Sequence, residues 1–121
     1  MHVRIKRIYE PASHDDGMRI LVDRLWPRGI SRGEAQLDEW VKELAPSDEL
    51  RNWFNHEENR WREFRERYLD ELKEHREQAR KIAEAAREST VTLLFAAKDE
   101  EHNNAVVLRQ YLEMLEPRNE A

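Results

Sequence analysis

The stretch Met18-Arg19-Ile20-Leu21-Val22-Asp23-Arg24-Leu25-Trp26-Pro27-Arg28-Gly29 decides how the chain folds. Ile20, Leu21 and Val22 are apolar without alternation. A continuous apolar run of this kind suits a strand covered on both faces, as parallel strands are. The reading is a strand from Met18 to Trp26, stopped by the turn chemistry of Pro27-Arg28-Gly29. A second run, Thr90-Val91-Thr92-Leu93-Leu94-Phe95-Ala96-Ala97, has the same character and predicts a matching strand. Val3 to Tyr9 mixes apolar and basic residues with partial period-2 alternation, which predicts a strand near a sheet edge. Pro11 to Gly17 reads as a loop.

Working outward, Leu37, Trp40, Val41 and Leu44 recur at i, i+3, i+4 and i+7 and predict a helix with a core-facing stripe. Pro46-Ser47-Asp48-Glu49 is a stop followed by a fresh helix start, with Ser47 as N-cap and acids in the first turn. Trp61, Phe64, Tyr68, Leu72, Ala79, Ile82 and Ala86 then hold helical register, with Glu58–Arg62, Glu63–Arg67 and Glu77–Lys81 as i,i+4 pairs. An unbroken helix over 57–87 would run about 45 Å, against roughly 35 Å across a compact domain of this size. The helix is therefore expected to break near Lys73 to Glu77 or to overhang the body. Asp99 is read as the cap of a last helix whose stripe is Ala105, Val106, Leu108, Leu112 and Leu115. Strands alternating with helices give one α/β domain over residues 1–116. Its sheet is small, mainly parallel and of three to four strands, flanked by helices with right-handed crossovers in a Rossmann-like topology. Residues 117–121 are expected to form a frayed polar tail.

Composition narrows the function classes. Charged residues make up 39% of the 121, and the net charge is −5. That balance gives no general attraction to nucleic-acid backbones or anionic lipid, so neither is expected as a partner. The chain has no cysteine, which removes thiol nucleophiles and thiolate metal sites. Met1-His2-Val3-Arg4 lacks the apolar core of a signal peptide. No apolar run approaches the ~20 residues of a membrane span. A cytoplasmic protein is the expectation. The five histidines show no metal-ligand spacing, and three glycines leave no room for a glycine-rich phosphate loop. No cofactor and no metal are read from the sequence, nor is any oligomeric state.

In open α/β sheets ligands bind beyond the carboxyl ends of the strands. If the two buried strands are parallel neighbours, the residues that follow them share one edge. Asp23, Arg24, Trp26 and Arg28 would come from one loop, Lys98 and Asn103 from the other. Arg24 and Arg28 offer planar forks for phosphate or carboxylate, Lys98 a point charge, and Trp26 a flat apolar wall. Asp23 could orient an arginine or act as general base. Residue by residue, simpler readings carry more weight. Asp23–Arg24 reads as a structural ion pair, Trp26 as a core plug, Pro27-Arg28-Gly29 as a turn and Asp99 as a cap. Only their joint placement points to a site. The leading reading is a small anionic ligand held at this edge, with hydrolysis or group transfer if Asp23 serves as a base. The alternative is a non-catalytic interaction or regulatory module.

The run Arg19 to Gly29 also resembles the signature of the YeaO-like bacterial proteins of domain-of-unknown-function family 488 (DUF488). The likeness continues through Leu37-Asp38-Glu39-Trp40, Ala45-Pro46-Ser47, Phe64 to Leu69, Thr92 to Asp99 and His102 to Leu108, in that order. It implies a small cytoplasmic α/β protein and no particular activity. More distant members resemble the second strand with an Asp-Val-Arg-type motif and carry cysteines around the third-strand end. Ala96-Ala97 and Asn103-Asn104 stand at those places here, so thiol chemistry is not implied for this chain. Some closer members have Pro or Asn opposite Lys73 to Glu77, which favours a helix break there, although this sequence has neither.

Overall fold

In the computed structural model, which describes residues 1–115, Ile20, Leu21 and Val22 are fully buried. The strand that holds the first two lies inside the sheet. Strands β1 (Val3–Arg7), β2 (Met18–Leu21), β3 (Glu39–Trp40) and β4 (Val91–Phe95) form a four-stranded sheet in the order β1-β4-β2-β3. All three pairings are parallel, and Val3 and Met18 both lie opposite Val91. β1 is an edge strand, as its basic residues suggest. The α/β class with a parallel sheet and flanking helices is the one the sequence predicts. Among the described residues no helix is long and apolar enough to cross a membrane. The tail expected at 117–121 lies outside the described residues.

Alternation along buried strands sends successive side chains to opposite faces. Ile20, Val22, Val91, Leu93 and Phe95 face one side, where the main core lies. Helices α3 (Trp61–Lys73), α4 (Arg76–Glu88) and α5 (Asn104–Leu115) cover it with Phe64, Tyr68, Leu72, Ile82, Leu108 and Leu112 among others. Leu21 and Leu94 face the other side and meet Ile8 and Ala35, with Trp26, Ile30, Leu37 and Trp40 packed over them. Among the described residues this second face is covered by the short helix α1 (Arg32–Ala35) and the chain around it.

Three expectations are corrected. The strand predicted to reach Trp26 ends at Leu21. The helix predicted over Leu37 to Leu44 does not form: β3 pairs with β2 there, and Lys42–Leu44 makes a single 3-10 turn. The reason is that its four apolar residues serve two faces. Leu37 and Trp40 pack on the second face, whereas Val41 and Leu44 belong to the main core. One helical stripe cannot do both. The third correction concerns Asp99, which does not cap α5. Asn103 does, its side-chain oxygen accepting the Val106 N–H at 3.1 Å.

Other boundaries follow the sequence. Ser47 caps α2 (Asp48–Phe54) by accepting the Leu50 N–H. Glu71 ties α3 to this start by accepting from the Ser47 N–H and hydroxyl. The long charged segment is two helices, parted at Glu74 and His75, and Glu63–Arg67 is an ion pair on the first.

At the amino end of β2 the second face is polar, a feature that no local pattern in the sequence signals. Asp16 is fully buried. Its carboxylate accepts from Lys6 Nζ at 3.1 Å, Arg19 Nη1 at 2.5 Å and the Ser13 N–H at 3.0 Å. Arg19 spends its remaining donors on the carbonyls of Ala35 and Gln36. Burial by itself would raise the Asp16 carboxyl, but the bonds from Ser13, Lys6 and Arg19 prevail and hold it below the usual range. Gly17 brings the chain close enough to make this corner. At φ +62° it leaves only 2.2 Å between a built Cβ and the Thr90 carbonyl oxygen, so no side chain fits.

Candidate functional site

β2 and β4 are neighbours whose connections leave in opposite directions. The chain after β2 runs to α1 on the second face, and the chain after β4 runs to α5 on the main-core face. Parallel strands that send their crossovers to opposite faces open a crevice beyond their carboxyl ends. Here it is a cleft of about 720 Å³, within the range of small-molecule sites.

The strands part in an orderly way. The Val22 N–H still bonds the Leu94 carbonyl at 3.0 Å. The next rung of a parallel ladder would join the Ala96 N–H to the Val22 carbonyl. Side chains supply it instead. Asp23 Oδ2 accepts the Ala96 N–H at 2.9 Å, and Asn104 Nδ2 donates to the Val22 carbonyl at 2.8 Å and to Asp23 Oδ1 at 3.1 Å. The half-buried Asp23 thus has only neutral hydrogen-bond partners. Burial pushes its carboxyl above the usual carboxylate range, against the lowering effect of the Asn104 and Ala96 bonds and of the positive charge of Arg51.

Every residue singled out in the sequence lines this cleft: Asp23, Arg24, Trp26, Arg28, Lys98 and Asn103. Their situations differ. Arg24 makes no ion pair with Asp23. Its guanidinium turns to the carbonyls of Pro46 and Ala45 at 3.1 and 3.3 Å. Trp26 donates its ring N–H to the Ile30 carbonyl, sets its edge on Trp40 at 5.3 Å and carries the Arg32 guanidinium over its face. Trp40 in turn donates to the Asp23 backbone carbonyl at 2.7 Å. Asn103 is consumed by capping α5 and by donating to the Asp99 carbonyl. Among the described residues, the side chains of Arg28 and Lys98 have no hydrogen-bond or ion-pair partner, and both are exposed.

The cleft also has walls that sequence reasoning missed. Phe54 and Phe64, stacked at 4.3 Å, line it together with Pro27 and Pro46. Arg51 and His56 join them from the end of α2, with Asn55 and His56 both in left-handed backbone conformation. Tyr9, whose hydroxyl donates to the Arg28 carbonyl, comes from the end of β1. Phe64 reads as core by periodicity, and both rings are buried. Nothing in the local pattern said that the same rings would also floor a cleft. Asn104 had one visible signal, the Asn103-Asn104 pair just ahead of a helix.

Among the described residues Glu58, Asp99 and His102 bring donor atoms within 4.8 Å of one another at the cleft rim. A turn accounts for the Asp99 part of this. Asp99 Oδ1 accepts the N–H groups of Glu101 and His102, and its Oδ2 meets His102 Nδ1 at 3.0 Å.

A family model described as "Inactive DUF488-N3 subclade" matches residues 2–120. The chain belongs to the DUF488 family. Within it, YeaO of Escherichia coli (strain K12) is 47% identical over 115 residues, covering 95% of this chain and 100% of that protein. Rv3073c of Mycobacterium tuberculosis and Mb3100c of Mycobacterium bovis are each 40% identical over 110 residues, covering 91% of this chain and 92% of theirs. No solved structure matches. The DUF488 match thus extends over both loops that build the cleft.

Proposed function

We propose that this DUF488 protein is a binding module that holds a small anionic ligand in the cleft between β2 and β4, without catalysing a reaction on it. One observation carries the reading. Arg28 and Lys98 come from separate loops, face one cleft, and are unpaired among the described residues in a chain of net charge −5. Exposed cations that are not neutralised internally are available to a phosphate or carboxylate. The hydrolase or transferase reading is less favoured. Asp23 already serves the sheet through both oxygens, and the described cleft lining holds no serine, threonine or cysteine. The family model's own description, "Inactive", points the same way. A cytoplasmic setting without nucleic-acid or membrane partners goes with this reading and fits the acidic net charge.

The test is thermal. Phosphate or sulfate should raise the melting temperature more than chloride at matched ionic strength, and Arg28→Ala or Lys98→Ala should remove the difference. Equal shifts for all three salts would reject the reading. A second reading, a protein-docking surface, has one observation in its favour: Tyr9 and Leu25, exposed at 43% and 59%, both flank the cleft. It requires Leu25→Asp to abolish association with a partner while the anion-specific shift is absent.

A further inference from the structure

Anion binding explains two cleft residues and leaves a third unexplained. Asp23 lines the same cleft without a cation in direct contact: its hydrogen-bond partners are a backbone N–H and an amide, and the positive charge of Arg51 acts on it only from a distance. A carboxylate offers about four lone-pair positions. Asn104 and Ala96 use one on each oxygen, which leaves each oxygen able to accept again. Negative charge placed against this group would be repelled, so the anionic end of a ligand belongs at Arg28 and Lys98 and not at Asp23. A ligand carrying hydrogen-bond donors at one end and an anion at the other would satisfy both parts of the site.

The walls restrict what joins those two ends. Phe54, Phe64, Trp26, Pro27 and Pro46 are flat and apolar, which suits a planar ring system. Two adjacent N–H donors on a ring edge match the two oxygens of a carboxylate in the side-by-side manner of a guanidinium fork. Among common planar anions, the nucleotides differ at this edge. Guanine presents a ring N–H beside an exocyclic amine, both donors. Adenine presents an amine beside a bare ring nitrogen, whose lone pair would face the carboxylate. Hypoxanthine keeps the ring N–H and lacks the amine.

We propose that the cleft takes a flat heteroaromatic monophosphate of the guanine-nucleotide class, its paired N–H edge on Asp23 and its phosphate at Arg28 and Lys98. This rests on the anion-binding reading and sharpens it. It assigns Asp23 a role in specificity, distinct from the stitching of the strands that it performs in the empty protein. A hydrogen bond to a charged group is stronger than one between neutral groups, so loss of the amine should weaken binding by about tenfold or more.

The experiment is isothermal titration of the wild-type protein with GMP, IMP, AMP and inorganic phosphate at fixed ionic strength. GMP should bind at least about tenfold more tightly than IMP or AMP, with phosphate weakest. Asp23→Asn, shown to be folded by circular dichroism, should bring GMP and IMP to the same affinity. Arg28→Ala should weaken both alike. If all four bind equally, the anion reading stands and the donor-edge inference falls. If none binds, both fall. Guanine preference that survives in Asp23→Asn would place the ring away from Asp23 and overturn the assignment. Because the ligand series is run on the wild-type protein, it decides the matter even if the variant does not fold.

Discussion

Two aspartates bracket β2. Asp16 precedes its first residue by two positions, and Asp23 follows its last by two. Each accepts a backbone N–H, from Ser13 and Ala96 respectively. Beyond that they part. Asp16 lies between Lys6 and Arg19 with no solvent access, whereas Asp23 has an amide for company and faces a cleft. The bonds of Asp16 pull its carboxyl down, and burial pushes that of Asp23 up. One carboxylate is neutralised by direct ion pairs; the other has no cation in contact and feels Arg51 only from a distance. The first arrangement is expected of a structural corner, the second of a site.

The largest test of this contrast is Asp16→Ala. It leaves Arg19 and Lys6 without their anion, and removing one partner of a buried ion pair costs around 3–5 kcal/mol. Urea unfolding should register a loss of that size, and a loss below about 1.5 kcal/mol would dissolve the distinction. Leu21→Ala, inside the strand between the two aspartates, supplies the scale. As a core truncation it should cost roughly 2–5 kcal/mol. Asp23→Asn should cost less than about 1.5 kcal/mol, because the lost charge-assisted bonds are offset by the relief of a charge that burial disfavours. If it is as damaging as Leu21→Ala, Asp23 is a structural tie alone.

The pH dependence sharpens the same comparison. The Asp16 pKa in the folded protein is below the ordinary value of about 3.9. Its contribution is therefore complete above that value and is lost as pH falls through the folded pKa. The Asp23 pKa is above the ordinary value. Its ionised form costs stability at neutral pH, and that cost is relieved as pH falls from the folded pKa toward about 3.9. The stability gap between wild type and Asp16→Asn should shrink below about pH 4. Wild type should gain on Asp23→Asn over the range just above it. Differences that move in the same direction would break the comparison. The smallest expected effect is that of Arg28→Ala. An exposed side chain without partners among the described residues should change stability by no more than about 0.5 kcal/mol, while removing the phosphate-specific thermal shift.

What could be read in the sequence follows from which residues speak locally. Ile20 to Val22 and Val91 to Phe95 announce buried parallel strands because strands covered on both faces have no polar side to show. Asp23, Arg28 and Lys98 could be placed on one edge because their positions follow from those two strands. Leu37 to Leu44 misled because periodicity records which residues are apolar, not which of two layers each enters. Asp16 gave no signal, since Lys6 and Arg19 reach it from different strands. Phe54, His56 and Arg51 meet the cleft only through the docking of α2, which no spacing along the chain encodes. Asp99 and Asn103 are both plausible caps by type, and the length of the turn between them decided which one served.

The side-chain rung between β2 and β4 bears on how anything enters. Strands that separate ordinarily expose backbone groups that must find water or re-pair, which makes a crevice prone to closing on itself. Here the Ala96 N–H and the Val22 carbonyl are already bound, so the mouth stands open as part of the sheet's own framework. A visitor meets a preorganised doorway rather than one it must pry apart. Amide spectra of the free and occupied protein should then differ at the walls of the cleft and coincide along the strands. In that sense the recess is architecture first, and occupancy would change its contents without changing its frame.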